Sequence, residues 1–292
     1  MRGSGDLAHA TARAAVAVGT GMTSPGTFAQ CVEIAGGRLE YHRRRPDTDV
    51  PARPPVLLLH PWFGCWQFWR CTVDALPEFE TICVDLYSLG ARPDWRDFAS
   101  PDGLARAVGI LLDALQIHRC SVIGNSMGGI AAQALSADRT DAIEKLVLVG
   151  TGARIVGVKP EWRRTMDEWI AGPADRQFAA RMVGALLARR PDDPDEFEVF
   201  VDMVMAANKA FMGTVLTNAF ELDLRSRLPA ITASTLIVRG ELDASRTPAH
   251  VEELLAGIPG SRSVEIANGG HSVQVDSAEI FSGLVREFLL GK

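Results

Sequence analysis

A serine in a glycine-flanked turn is the residue of this sequence with the clearest chemical potential. Residues 124–128 read Gly-Asn-Ser-Met-Gly, after an apolar run at 120–123 and before a small-residue stretch with helical character. When a strand turns through such a motif into a helix, the Ser126 hydroxyl stands above the strand end in a strained backbone conformation. The helix N-terminus and the free N–H of Met127 then face an oxyanion at Ser126. The motif predicts a nucleophilic serine, with Met127 as one oxyanion-hole donor.

A nucleophilic serine needs a histidine as base and a carboxylate that orients the histidine. Asp243 lies just beyond the end of one apolar strand-like run, and His271 follows another near the end of the chain. Both residues fall in the chain order serine, aspartate, histidine that a strand–serine–helix turn requires. We therefore predict a triad of Ser126, Asp243 and His271, with Glu241 as the alternative carboxylate.

The second oxyanion donor is expected in the loop after the apolar run at 55–60, where residues 60–63 read His-Pro-Trp-Phe. Proline has no N–H, so Trp62 is the predicted donor. A cis peptide between His60 and Pro61 is left open, because bonds before proline adopt the cis form more readily than others. His60 and Phe63, on either side of that donor, are expected to contact the substrate.

Composition narrows the range of partners. Among 292 residues, 36 acidic side chains exceed 30 basic ones, and the formal net charge is −6, which disfavours a nucleic-acid partner. No apolar run reaches the roughly 18 residues that span a bilayer. The five cysteines show no C-x-x-C spacing, which disfavours disulfides and a metal site. We expect a soluble, cytoplasmic protein that acts on a small molecule without a metal or organic cofactor, and a homodimer is left open.

Strand-like runs alternate with helical stretches over residues 27–152 and 229–292. Such alternation predicts an α/β core with a mostly parallel sheet and helices on both faces. Residues 1–26 are interpreted as a flexible N-terminal extension, with Met22 left open as the physiological start. Residues 153–228 break the alternation and carry Met and aromatic residues at helical intervals, so they are predicted to form a helical cap. The cap residues predicted to contact the substrate, with the cap's own core as the alternative, are Trp162, Trp169 and Met212.

The ordered triad, the loop at 60–62 and the helical insertion together make the chain resemble the α/β-hydrolase superfamily, over nearly its full length beyond the extension. The elbow at 124–129 is similar to that of the carbon–carbon bond hydrolases of meta-cleavage products, and also to elbows of capped esterases and lactonases. Two departures weaken the carbon–carbon interpretation. Those enzymes carry glycines where this chain has 61–63, and a tryptophan where it has Ser272. Epoxide hydrolases and haloalkane dehalogenases are disfavoured because their elbow nucleophile is an aspartate.

The resemblance implies a serine hydrolase that cleaves a carboxylic ester or lactone through an acyl-enzyme on Ser126. The aromatic and Met residues favour a fairly bulky apolar substrate. One alternative is carbon–carbon bond hydrolysis, for which Arg154, Arg163 or Arg164 is available to bind a carboxylate. The other alternative is a non-catalytic small-molecule binding protein on the same fold, since a fold does not fix a function.

Overall fold

The computed structural model describes residues 16–17, 22–24, 27–34, 37–46 and 52–292. Its strands are β1 (Val16–Ala17), β2 (Met22–Ser24), β3 (Thr27–Ile34), β4 (Gly37–Arg44), β5 (Val56–Leu59), β6 (Thr81–Asp85), β7 (Cys120–Asn125), β8 (Ile143–Val149), β9 (Ser234–Gly240) and β10 (Arg262–Ile266). They form one sheet in the order β1-β3-β4-β6-β5-β7-β8-β9-β10, with β2 also paired to β3. Every pair from β6 to β10 is parallel, whereas β3 and β4 are antiparallel to their neighbours. The predicted α/β-hydrolase fold with a mostly parallel sheet is confirmed.

The described chain also forms α-helices and short 3-10 helices between the strands. The helix that begins at residue 101 shows two features typical of a helix start. The Ser100 hydroxyl caps it by accepting from the Gly103 N–H at 2.9 Å, and a proline lies in its first turn. The α-helices are α1 (Arg70–Asp74), α2 (Pro101–Ala114), α3 (Met127–Asp138), α4 (Pro160–Ala171), α5 (Arg176–Gly184), α6 (Pro194–Ala206), α7 (Lys209–Glu221), α8 (Pro248–Gly257), α9 (Val273–Asp276) and α10 (Ala278–Leu290). The 3-10 helices are Trp66–Trp69, Leu86–Ala91, Trp95–Phe98 and Leu228–Ala230.

Helices cover both faces of the sheet. Alternate side chains of a strand point to opposite faces, and in β5 Leu57 and Leu59 join one apolar cluster while Val56 and Leu58 join the other. The first cluster includes residues of α2, α3 and α8, and the second includes residues of α9 and α10. All four β5 residues are fully buried. The sheet is therefore held in a three-layer sandwich, and its strand ends are fixed in position.

Helices α4 to α7, here called the cap helices, lie between β8 and β9, within the segment predicted to form the cap. The base of this insertion is closed by an isolated bridge between Arg154 and Asp223 and by a 2.9 Å hydrogen bond from the Leu224 N–H to the Ala153 carbonyl. In the described part of the chain no single helix is long and apolar enough to span a bilayer. The pair α6 and α7 taken together reaches that length and apolarity, and the two helices are bent by 88°.

Two short strands lie in the segment predicted to be a flexible extension. Val16–Ala17 and Met22–Ser24 both pair antiparallel with β3. The rest of residues 1–26 lies outside the described residues, and the flexible extension stays a prediction. The predicted hairpin of β3 and β4 pairs in register from Phe28 with Arg43 to Ile34 with Gly37.

Candidate active site

Ser126 sits at the sharp turn between β7 and α3. Its backbone has φ 53° and ψ −113°, a conformation that non-glycine residues rarely adopt. A Cβ on Gly124 would collide with the Gly128 backbone, and a Cβ on Gly128 would collide with the Leu59 carbonyl. The two glycines thus allow the strand, the turn and the helix to approach one another closely, as the sequence motif predicts. The turn is further fixed because the Thr151 hydroxyl donates to the Ser126 carbonyl at 2.8 Å.

Asp243 and His271 meet at the carboxyl ends of β9 and β10. The Nδ1 of His271 lies 2.7 Å from Oδ2 of Asp243, and both side chains are almost completely buried. The other oxygen, Oδ1, accepts hydrogen bonds from the Ser245 N–H, the Ser245 hydroxyl and the Arg246 N–H at 2.9, 2.7 and 3.0 Å. Burial raises the pKa of Asp243, but the hydrogen bonds from His271 and Ser245 outweigh it and hold that pKa at about 2. Asp243 is therefore an ionised acceptor that orients the imidazole.

The two sides of the predicted triad open onto one cavity. Ser126 and His271 both line a cavity of about 350 Å³ between the strand ends and the cap helices. The Asn125 side chain joins the two sides, because its Nδ2 donates to the His271 carbonyl at 3.0 Å. The structure thus brings Ser126, Asp243 and His271 together in one region, while their catalytic roles stay predictions.

The two predicted oxyanion donors, Trp62 and Met127, line the same cavity. Met127 is the first residue of α3, and an N–H in the first turn of a helix has no acceptor within the helix. The indole N–H of Trp62 donates to the Met212 carbonyl at 2.9 Å, which fixes the loop to α7. The bond between His60 and Pro61 is trans.

The cavity wall is mostly apolar. Of the predicted substrate contacts, Phe63 and Trp162 line it. Apolar side chains also come from the cap helices, the loop after β8 and the first turn of α3. Apart from the residues already named, the apolar lining consists of Ile130, Ile155, Val156, Val158, Met182, Ala185, Leu186, Leu216, Phe220 and Ala244.

The structure corrects three predicted substrate contacts, because His60, Trp169 and Met212 do not line this cavity. Both nitrogens of the His60 imidazole contact backbone groups instead. Nε2 accepts from the Leu86 N–H at 3.0 Å, and Nδ1 lies 2.9 Å from the Pro61 carbonyl. Trp169 stacks on Phe178 in the core of the cap, at 5.6 Å between ring centroids. Met212 is fully buried and contributes its carbonyl to Trp62 instead.

Three polar residues of the cavity wall were missed by sequence reasoning: Lys159, Ser245 and Arg246. Two of them could have been found from their position in the sequence, because Ser245 and Arg246 follow Asp243 in the same loop after a strand. The three arginines considered for carboxylate binding, Arg154, Arg163 and Arg164, are not among the residues that line this cavity. Arg154 forms an ion pair with Glu253 at 3.0 Å, and the Arg163 guanidinium lies 4.6 Å from the Phe220 ring centroid.

No cluster of three or more potential metal ligands is found within the described residues. Cys65, Cys83 and Cys120 are buried in the apolar core and do not line the cavity. For Cys120 this burial raises the pKa to about 12, which keeps its thiol protonated. The reactive and polar side chains that line the cavity include those of Ser126, His271, Lys159, Ser245 and Arg246.

Residues 54–278 match the alpha/beta hydrolase fold family, and the chain therefore belongs to this family. This agrees with the resemblance found in the sequence. Relatives of this chain include hydrolases of several kinds. The chain is 28% identical over 298 residues to a 2-hydroxy-6-oxononadienedioate/2-hydroxy-6-oxononatrienedioate hydrolase from Cupriavidus pinatubonensis, covering 92% of this chain and 97% of the relative. It is 27% identical to a pimeloyl-[acyl-carrier protein] methyl ester esterase from Neisseria meningitidis, covering 85% of this chain and 98% of the esterase.

Solved structures show the same fold. The enol-lactonase from Burkholderia xenovorans LB400 superposes with a TM-score of 0.75 at 24% identity, over 89% of this chain and 99% of the lactonase. An esterase from Exiguobacterium antarcticum superposes with a TM-score of 0.75 at 22% identity, over 90% of this chain and 99% of the esterase. Family membership and the hydrolase relatives support hydrolase activity for this chain.

Proposed function

We propose that this protein is a serine hydrolase that cleaves a carboxylic ester or lactone of a fairly bulky apolar small molecule through an acyl-enzyme on Ser126. The observation that carries this proposal is the 2.7 Å contact between His271 and Asp243, at a cavity that Ser126 also lines. A serine in a strained turn, a buried histidine and an ionised aspartate are the three parts of an activated nucleophile.

The proposed reaction follows from which of these groups donate and which accept a proton or a hydrogen bond. His271 donates through Nδ1 to Asp243, which leaves Nε2 free to accept the Ser126 proton while Oγ attacks the substrate carbonyl. The N–H groups of Met127 and Trp62 stabilise the oxyanion, and each such donor is worth ~3 kcal/mol in the transition state. His271 then protonates the leaving alcohol, and a water molecule activated by the same imidazole hydrolyses the acyl-enzyme.

The wall of the cavity supports an apolar substrate of moderate size. Aromatic rings of Trp62, Phe63, Trp162 and Phe220 face a volume of about 350 Å³. Cavities of this size and character typically hold small organic molecules by burying their apolar surface. The esterase among the relatives is named for a methyl ester, which supports the ester part of this proposal.

Carbon–carbon bond hydrolysis is the second candidate. It is favoured by the relative from Cupriavidus pinatubonensis and by a further one from Pseudomonas putida, a 2-hydroxy-6-oxononadienedioate/2-hydroxy-6-oxononatrienedioate hydrolase 2, 31% identical over 194 residues and covering 63% of this chain and 68% of the relative. The same serine and histidine would serve that reaction. A binding protein without turnover is the third possibility that an experiment must separate.

A substrate panel read by rapid mixing separates these functions. We expect 4-nitrophenyl esters of medium chain length to release a burst of nitrophenolate equal to the enzyme concentration, because nitrophenolate is a good leaving group and acylation should be faster than deacylation. The Ser126→Ala variant should show no burst. Loss of colour of a meta-ring-fission product without ester turnover would assign carbon–carbon hydrolysis instead. Tight binding of both compound classes without turnover would support the binding-protein function.

A further inference from the structure

Arg246 is a buried cation whose hydrogen-bonding capacity is largely unused. Its side chain lines the cavity of Ser126 and His271, and the residue is only 9% exposed. Nη1 donates to the carbonyl of the preceding Ser245 at 2.9 Å, while Nε is buried without a hydrogen-bond partner within the described residues. Arginine is almost never buried unless it is paired, because an unpaired charge is costly to remove from water. The described residues therefore supply no acidic partner for this guanidinium.

No acidic side chain of the described residues forms an ion pair with Arg246. Asp243 is the nearest acid in the loop, but its oxygens are taken by His271, by Ser245 and by the Arg246 backbone N–H. The cavity wall contains a second cation, Lys159, and the described residues that line it include no Asp or Glu. A cleft with apolar walls, whose charged lining residues are cations, attracts anions.

We propose that Arg246 binds a carboxylate of the substrate, so that the preferred ester or lactone carries a free acid group a few atoms from the scissile carbonyl. The planar fork of a guanidinium matches the two oxygens of a carboxylate, and such bidentate pairs are strong and directional. This inference rests on the proposed function, because it names the class of substrate for the same site.

The loop fixes where this carboxylate would lie. The Arg246 N–H donates to Oδ1 of Asp243 at 3.0 Å, and Oδ2 of the same carboxyl contacts His271 at 2.7 Å. The arginine backbone is thus tied to the group that orients the base. A rigid connection of this kind sets a constant separation between the bound carboxylate and the carbonyl that Ser126 attacks, and so selects substrates by chain length.

The test compares an acidic ester with its capped analogue, 4-nitrophenyl hydrogen adipate and 4-nitrophenyl methyl adipate. For the wild type we expect kcat/KM to be at least about tenfold higher for the acidic ester, since a hydrogen-bonded charge pair discriminates by about 10- to 100-fold. Arg246→Met should remove most of this preference and bring the ratio of the two kcat/KM values close to unity. Arg246→Lys keeps the charge without the fork and should give an intermediate ratio.

The matched control is Arg181→Met on α5. Arg181 is an exposed arginine whose guanidinium lies 5.5 Å from the Phe178 ring centroid, away from the cavity wall. This variant should keep the wild-type ratio. A series of adipate, pimelate and suberate half-esters should show one preferred length with the wild type and a flat profile with Arg246→Met. An equal loss on acidic and capped esters would overturn the proposal, because a merely structural arginine affects both alike.

A binding measurement separates failure of this inference from failure of the proposed function. In Ser126→Ala, calorimetry should show adipate binding at least about tenfold more tightly than neutral adipamide, and the added Arg246→Met change should abolish the difference. If the wild type hydrolyses neither ester, the proposed function fails while this comparison still decides the role of Arg246. If adipate binds equally with and without Arg246, the inference is wrong. If circular dichroism shows that Arg246→Met does not fold, Arg246→Lys replaces it in the kinetic comparison and in the binding comparison.

Discussion

The side-chain amide of Asn125 donates a hydrogen bond of 3.0 Å to the backbone carbonyl of His271, so the residue before the nucleophile holds the loop that carries the base. The same nitrogen donates to the Val149 carbonyl at 3.0 Å. Its oxygen accepts from the Ser272 hydroxyl and from Nε2 of Gln274 at 2.8 and 2.9 Å. Asn125 is completely buried. A fully satisfied buried amide of this kind fixes the spacing between the serine turn and the histidine loop.

Asn125→Asp should therefore lower both stability and activity. The substitution places an oxygen against two carbonyls and should lower the free energy of unfolding by about 1–3 kcal/mol. A displaced histidine should lower kcat/KM by about 100-fold, because small shifts of a base are costly. The control is Gln133→Glu, since Nε2 of Gln133 also donates to two carbonyls, of Gly129 and Gly152, both at 3.1 Å. Equal activity losses in the two variants, measured beside urea unfolding, would refute a specific role of Asn125.

Gly150 lies beneath the aspartate and histidine, with a φ of +48°. A Cβ there would stand 2.5 Å from the His271 carbonyl oxygen and 3.2 Å from Oδ2 of Asp243. We expect Gly150→Ala to cost about 1–2 kcal/mol in backbone strain and to reduce kcat sharply by pushing His271 aside. Gly260→Ala is the matched control, because Gly260 has a φ of +68° and nothing within 4 Å of its Cβ position. It should lose similar stability, measured by thermal melting, and keep its activity.

The low pKa of Asp243 predicts how stability depends on pH. Its folded value of about 2 lies below its usual 3.8, so the carboxylate stabilises the fold above its unfolded pKa and loses this contribution as the pH falls through its folded pKa. From about pH 5 to about pH 2, the wild type should lose about 2 kcal/mol more unfolding free energy than Asp243→Asn. Urea titrations across this range measure the difference, and parallel pH profiles of the two proteins would contradict it.

The control for this pH effect is Asp223→Asn. The pKa of Asp223 is also held at about 2, by hydrogen bonds from Arg225, but both side chains are more than two-fifths exposed. Solvent screens such a surface pair, and its contribution to stability is correspondingly small. Asp223→Asn should therefore keep nearly the wild-type pH dependence.

Ser245 is expected to act as a positioning residue for Asp243. Its hydroxyl donates to Oδ1 of Asp243 at 2.7 Å and lies 2.9 Å from Nδ1 of His271. Ser245→Ala should lower kcat by about tenfold through the loss of a hydrogen bond to a charged group, and should make stability less dependent on acid pH. Ser261→Ala, which loses only a 2.9 Å bond to the Ile258 carbonyl, should change neither. An unaltered kcat in Ser245→Ala would remove this residue from the mechanism.

Residue type and position along the chain were enough to predict the fold and the meeting of Asp243 with His271. Apolar runs mark buried parallel strands, and parallel strands bring their carboxyl ends to one edge of the sheet. A serine, an aspartate and a histidine that each follow such a run are therefore brought near one another. The sequence pattern around each residue shows that it follows a strand, and the parallel topology then brings the strand ends together.

The lining of the cavity could not be predicted in the same way. Trp162 and Trp169 lie two turns apart on one face of α4, about 10 Å along the axis, and only the first reaches the cavity. Which of the two tryptophans reaches the cavity depends on how α4 packs over the sheet. His60 was misassigned because its partner, the Leu86 N–H, comes from a distant segment. The unpartnered Nε of Arg246 likewise becomes visible only when every neighbouring acceptor is known.

Labelling by a fluorophosphonate probe, followed by intact-mass spectrometry, tests the central claim most directly, because only an activated serine attacks such a probe at a useful rate. We predict one covalent adduct on the wild type and none on Ser126→Ala, with strongly slowed labelling of His271→Ala. An adduct that persists on folded Ser126→Ala, or a folded wild type that is not labelled, would contradict the account of Ser126 as the nucleophile.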